Sequence, residues 1–179
     1  MKIGKAFKIV LVGYMGSGKT TVGKELAKIL SVMFVDLDLE IEKSENKTVS
    51  KIFDSKGAIY FRKKEKIVLE EMIRSENSMV LSLGGGTPCY FDTMNLLNDE
   101  KEVHTVYLDV SIPILVNRLL PEKGHRPMLD AINSERELSE FIGKHLFERR
   151  PFYSKAKQIV KVNNESSEQL ARRIVSLLF

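Results

Sequence analysis

The sequence holds one cysteine, three histidines and no tryptophan among its 179 residues. The lone thiol, Cys89, cannot close an internal disulfide, which rules out a disulfide-stapled scaffold and fits a reducing compartment. No Cys/His constellation surrounds it in sequence, so a small packed side chain is expected there and not a nucleophile. His104, His125 and His145 stand at no metal-ligand spacing, and neither H-E-x-x-H nor C-x-x-C occurs, so nothing points to zinc. Long apolar runs are missing too. Stretches such as residues 9–12 and 79–81 fall far short of the ~18 residues that span a bilayer, and no membrane partner is expected. The basic start at residues 1–5 runs into a Gly-rich motif without a small-residue cleavage site, which predicts no targeting peptide and a cytoplasmic protein. Internal repeats, low-complexity tracts and linkers are also lacking. A single domain over residues 1–179 is therefore expected, with any second lobe being a lid or insertion.

What is present is ordinary for a globular chain: 43% hydrophobic and 29% charged residues, with a formal net charge of +4. That excess suits nucleic acid or a site holding phosphate and carboxylate groups. The basic residues are dispersed among acids, as in Arg62-Lys63-Lys64-Glu65, and no tryptophan is available for stacking bases. A nucleic-acid-binding ATPase would show a continuous basic stripe, so no nucleic-acid partner is expected.

Residues 7–12 form a β-branched apolar run that stops at Gly13, and Lys19–Leu30 then shows helical apolar spacing. Further short strands are predicted at residues 33–35, 79–81, 105–108 and 159–162. Helices are predicted from an N-cap at Thr48 through Lys56, over 58–75 after a break at Gly57, and from Ser111, Ser134 and Ser166. Alternation of this kind predicts a doubly wound α/β sandwich whose buried, mainly parallel sheet is covered on both faces. Residues 121–127, rich in Pro, Gly and charge and without a period, read as a mobile excursion between two helices.

Residues 13–20, GYMGSGKT, fit the G-x-x-x-x-G-K-[ST] phosphate-binding loop in its proper setting, after a buried strand and before a helix. Backbone N–H groups from Met15, Gly16, Ser17 and Gly18 would wrap a nucleotide phosphate. Lys19 would reach the β- and γ-phosphates from a solvent-facing position, and the Thr20 hydroxyl would ligate Mg²⁺. Asp36 and Asp38 follow the second strand, where an extended chain would put both carboxylates on one side of the ligand crevice. One can serve the metal or take a hydroxyl proton and the other can bind substrate hydroxyls, although D-x-D also suits a helix cap. On a helix, Arg62 and Glu65 share a face. They are either a surface ion pair or a guanidinium held in place for a substrate carboxylate. Gly84, Gly85 and Gly86 are more than a strand-to-helix turn needs and admit a close ligand. Arg126, in the suspected lid, and Arg149, at the end of a later helix, could each meet anionic charge. No N-K-x-D base reader of the GTPase switches occurs.

Taken together, the stretches GYMGSGKTTVGKELA, FVDLD, FRKKE, LGGGTP, HRPML and ERRPFY resemble the shikimate kinase family in a consistent order from Gly13 to Tyr153. The resemblance implies a P-loop NTPase of the nucleoside-monophosphate-kinase-like type: a three-layer sandwich with a five-stranded parallel sheet. A substrate-binding helical region would lie at about 37–65 and a lid at about 120–131. It also implies ATP and shikimate as substrates, Mg²⁺ as cofactor and a monomeric enzyme of aromatic amino acid biosynthesis. Asp38, Arg62, Gly84, Gly85, Gly86 and Arg149 would bind shikimate, with Glu65 orienting Arg62. Arg118 would stack on adenine, Arg126 would act from the lid, and Lys19, Thr20 and Asp36 would form the phosphate and metal group, with Asp36 the candidate for polarising the attacking hydroxyl and Lys19 for polarising the γ-phosphoryl. Tyr14 stands where the family usually has Phe, and RPML replaces the commoner RPLL. A related kinase, such as one acting on gluconate, would share the loop and lid but has no use for Asp38, Arg62 and Arg149 together.

Overall fold

The computed structural model describes residues 6–125, 127–129, 132 and 134–179. In chain order its elements are β1 (Lys8–Val12), α1 (Lys19–Leu30), β2 (Met33–Asp36), α2 (Leu37–Glu45), α3 (Val49–Arg74), β3 (Met79–Ser82) and α4 (Thr93–Asp99). There follow β4 (Val103–Val110), α5 (Ile112–Leu119), α6 (Glu135–Tyr153), β5 (Gln158–Val162) and α7 (Ser167–Leu178). The five strands form one parallel sheet in the order β2-β3-β1-β4-β5. In the central strand Ile9, Val10, Leu11 and Val12 are all fully buried, so both faces of the sheet are covered by helices. The edge strand β5 instead alternates, with Val160 and Val162 buried and Ile159 and Lys161 exposed. Because β3 and β4 lie on opposite sides of β1, the chain reverses its winding at the C-terminal end of β1, where ligands bind in sheets of this kind.

The helix caps follow the sequence chemistry. Thr48 accepts the N–H of Lys51, Ser134 that of Glu137, and Ser166 and Gln169 close a reciprocal capping box. The predicted break in α3 falls at Gly57, whose φ of 78° and ψ of 170° leave the helical region. Beyond it Phe61, Glu65, Val68, Leu69 and Ile73 form one buried stripe. A carboxylate thus occupies a position in the core-facing row.

Two helices escaped the pattern reading, α2 and the seven-residue α4. The first changes the account of the two aspartates. Asp36 ends β2 and is the N-cap of α2, its Oδ1 accepting the N–H of Asp38 at 3.1 Å, while Asp38 already lies in the first helical turn. The pair is therefore not carried by one extended strand: a cap followed by a turn brings the carboxylates together. Within the stretch that lacks a period, 3-10 turns form at Leu120–His125 and Pro127–Leu129, and Leu129 is fully buried. Arg126 lies outside the described residues. Among those described, no helix is long and apolar enough to cross a membrane.

Candidate active site

A cleft of about 560 Å³ opens at the C-terminal ends of the strands and is lined by residues 15–20, Asp36, Asp38, Gly84, Gly85 and Arg118. Its floor is the loop between β1 and α1. Gly16 and Gly18 adopt φ of 75° and 95°, a region costly to other residues, and Gly18 caps α1 without any side-chain hydrogen bond. The first N–H groups of α1 therefore have no side-chain cap to serve and suit an anion. The loop carbonyls are drawn the other way. Lys19 Nζ donates to the carbonyls of Gly13 and Tyr14 at 2.8 and 3.0 Å, and Arg118 Nη1 donates to those of Gly16 and Ser17 at 3.1 and 3.3 Å. Lys19 is thus half-buried and tied to the loop, where a solvent-facing side chain was expected.

From the other end of the cleft outward, each of three consecutive glycines has a charged side chain laid against it, and Gly84 has two. A Cβ built on Gly84 would lie 3.0 Å from Asp38 Oδ1; on Gly85, 3.7 Å from Arg149 Nη1; on Gly86, 2.6 Å from Arg62 Nη2. None of the three has a positive φ. At Gly84 and Gly86 the close approach of these side chains, and not backbone conformation, leaves little room for a Cβ, whereas at Gly85 the spacing is an ordinary contact. Arg62 Nη1 donates to Glu65 Oε2 at 2.6 Å, and its guanidinium sits over the Tyr90 ring at 4.5 Å. Glu65 is 2% exposed, so the pair is buried at its acidic end and is not a surface salt bridge. Its Oε1 accepts the hydroxyl proton of Thr87 at 2.6 Å.

Arg149 is held differently. It lies over the Tyr14 ring at 5.6 Å, and its charge partly counters the burial that pushes the Tyr153 hydroxyl's pKa up. Tyr153 in turn donates to the Gly85 carbonyl at 2.5 Å. Burial pushes Tyr14 up to about 12, and burial and then Arg149 lower His145; the Tyr14 hydroxyl and His145 Nδ1 share a hydrogen bond of 3.0 Å. This links the phosphate-binding loop to α6. Tyr14, Tyr153 and Thr87 carry no charge and match no motif by themselves, so their part in the site shows only once the chain is folded. Cys89, nearby, has its thiol pushed up by burial against the pull of Arg149 and Arg62, which suits a packed thiol and no nucleophile.

Asp38 is raised to about 6, first by burial and then by the charges of Asp36 and Glu65, against the pull of Lys19 and Arg62. Since its value in the unfolded chain is near 3.8, the folded protein holds the extra proton. Its contribution to stability is fully present below about 3.8 and is lost as the pH rises through about 6. Asp38→Asn should therefore raise the unfolding midpoint at pH 7 by several degrees, at about 2–4 °C per kcal/mol for a chain of this size, with the gain vanishing near pH 4. Thermal unfolding at the two pH values measures this.

Thr20 and Asp36 offer a hydroxyl and a carboxylate, both hard oxygen donors, and no cluster of three or more His, Cys, Asp or Glu able to hold a metal exists among the described residues. That donor set fits Mg²⁺, which keeps water and takes phosphate oxygens in place of a full protein cage.

The shikimate kinase family model matches residues 15–179. The chain belongs to the shikimate kinase family. A shikimate kinase of Flavobacterium psychrophilum is 45% identical over 96% of this chain and 99% of its own length. Among solved structures, the shikimate kinase of Bacteroides thetaiotaomicron superposes with a TM-score of 0.86 at 39% identity, covering 96% of this chain and 98% of its own. That of Acinetobacter baumannii in complex with shikimate gives 0.83 at 33% identity, covering 97% and 93%. The fold is accordingly that of the P-loop kinases of this family, with the expected five-stranded parallel sheet.

Proposed function

We propose that this shikimate kinase family member transfers the γ-phosphoryl group of ATP to the 3-hydroxyl of shikimate, a step toward chorismate and the aromatic amino acids. The observation that carries the reading is the row of Asp38, Arg149 and Arg62 on Gly84, Gly85 and Gly86, which begins with Asp38, Gly84 and Gly85 in the lining of the phosphate-loop cleft and continues beside it. Two guanidiniums suit a ring carboxylate and a buried aspartate suits ring hydroxyls. Met15, Gly16, Ser17 and Gly18 would offer backbone N–H groups to the nucleotide, and Arg118 its guanidinium face to the base. Lys19 would leave the loop carbonyls for the β- and γ-phosphates. Mg²⁺, held by Thr20 and Asp36, would supply charge neutralisation at the phosphates. Positioning and electrostatics then supply most of the catalysis.

The two aspartates divide their work differently from the sequence expectation in this reading. Asp36 Oδ1 is engaged in capping α2, which suits a metal-facing role for its other oxygen. Asp38, raised to about 6, is better poised to take the proton of the attacking hydroxyl near neutral pH. The role of Arg126 on the transferring phosphoryl group, and closure of the lid about residues 120–131, rest on the sequence resemblance. The enzyme would work as a monomer in the cytoplasm.

The test is to incubate the protein with Mg-ATP and shikimate and identify the product by phosphorus and proton NMR. Stoichiometric ADP and a single phosphate ester on the 3-hydroxyl are expected. ADP release that is independent of shikimate, or faster with gluconate, would overturn the substrate assignment.

A further inference from the structure

Thr87 stands one residue beyond the glycine row, and among the described residues its hydroxyl hydrogen-bonds Glu65. It is 2% exposed, and its hydroxyl donates to Glu65 Oε1 at 2.6 Å while Glu65 Oε2 takes the Arg62 guanidinium at the same distance. Its backbone N–H donates to the Gly84 carbonyl at 3.1 Å, which fixes the 3-10 turn carrying the hydroxyl. The position of a Cβ on Gly84 would be 3.0 Å from Thr87 Oγ1, 3.0 Å from Asp38 Oδ1 and 3.4 Å from Glu65 Oε1. Two carboxylates and one hydroxyl thus converge on the same small space.

A buried carboxylate with two oxygens needs two donors, and Arg62 donates here to Oε2 alone, through Nη1. Thr87 supplies the second. We propose that Thr87 is a positioning residue for the acid pocket: its hydroxyl fills Glu65 Oε1 so that Oε2 alone holds Arg62 flat against Gly86, facing the substrate carboxylate. This rests on the assignment of Arg62 to shikimate made above. Without the hydroxyl, Glu65 has one oxygen buried and unpaired, and it satisfies that oxygen by rotating toward Arg62, turning the guanidinium out of register with its ligand.

The variants are Thr87→Val, which keeps the shape and removes the donor, and Thr87→Ser, which keeps the donor. With wild-type turnover of shikimate established first, Thr87→Val is expected to raise the KM for shikimate about tenfold, the effect of one misaligned charge-assisted contact, with the KM for ATP within about twofold. Thr87→Ser should return the shikimate KM to within about threefold of wild type. A wild-type protein inactive on shikimate would point to the substrate assignment and not to Thr87. Parallel rises in both KM values, an unaffected Thr87→Val, or a serine variant as impaired as the valine one would overturn the positioning role. Should Thr87→Val prove unstable, the Glu65→Gln background decides. There Thr87→Val should change shikimate KM by less than about twofold, because its intermediary is already altered, and an undiminished tenfold effect would show that Thr87 acts by another route.

Discussion

Replacing Lys19 by alanine is expected to lower phosphoryl transfer by roughly 10²–10³-fold while the protein stays folded. The ammonium lines the cleft at the phosphate-binding loop, whose carbonyls accept hydrogen bonds from Lys19 and Arg118. With phosphate present, Lys19 exchanges two carbonyl contacts for the anion whose charge grows along the reaction, so its loss falls on the transition state. The fold depends on it little. Lys19 is half-buried at the edge of a water-accessible cleft, and the carbonyls it leaves can be hydrated. ADP release and thermal unfolding measured on one preparation separate the two effects. Near-wild-type transfer by the folded variant would remove the loop from the mechanism.

Arg149→Ala should weaken shikimate binding by roughly 10- to 150-fold and leave ATP binding nearly unchanged, the range expected for one charge-assisted hydrogen bond of about 1.5–3 kcal/mol. Arg62→Ala and Arg62→Lys should show a loss of the same kind, the lysine because an ammonium cannot make the planar two-point contact. The arginines differ in what else their removal does. Arg62 is neutralised by the buried Glu65, whereas no carboxylate of the described residues pairs with Arg149. Removing Arg62 strands a buried carboxylate and should destabilise the protein by about 3–5 kcal/mol, the usual cost of breaking a buried pair from one side. Arg149→Ala strands none, so its unfolding midpoint should stay close to wild type. Calorimetric titration with shikimate and ATP separately, together with thermal unfolding, reads both differences. Equal losses for the two ligands would show that neither arginine belongs to an acid pocket.

The sheet and the phosphate-binding loop were legible in the sequence because their signals are local: a buried strand, a glycine loop with a lysine, and a helix of matching period. The caps at Thr48 and Ser166 and the break at Gly57 were local too. The two aspartates were correctly placed in the cleft for a partly mistaken reason. Asp36-Leu37-Asp38 continues an extended run by pattern, yet Asp36 followed by Leu37 and Ile41, both buried, is the signature of a capped helix. Glu65 left a sign in the sequence, a carboxylate in the row of Phe61, Val68, Leu69 and Ile73. Such a position calls for a buried partner, and following that need leads to Arg62 and Thr87. That Thr87 in particular meets Glu65 and that Tyr14 meets His145 was not legible, because the partners stand 22 and 131 residues apart in the chain.

The account holds that this cleft recognises shikimate by its carboxylate, gripped by Arg62 and Arg149 against the glycine row. Steady-state phosphorylation of shikimate and of its methyl ester, compared at saturating Mg-ATP, tests this most directly. Loss of two charge-assisted contacts predicts a fall in kcat/KM of roughly 10²–10⁴-fold for the ester, carried mainly by KM, since the reacting hydroxyl and its partner Asp38 are untouched. An ester phosphorylated as efficiently as the acid would contradict the account.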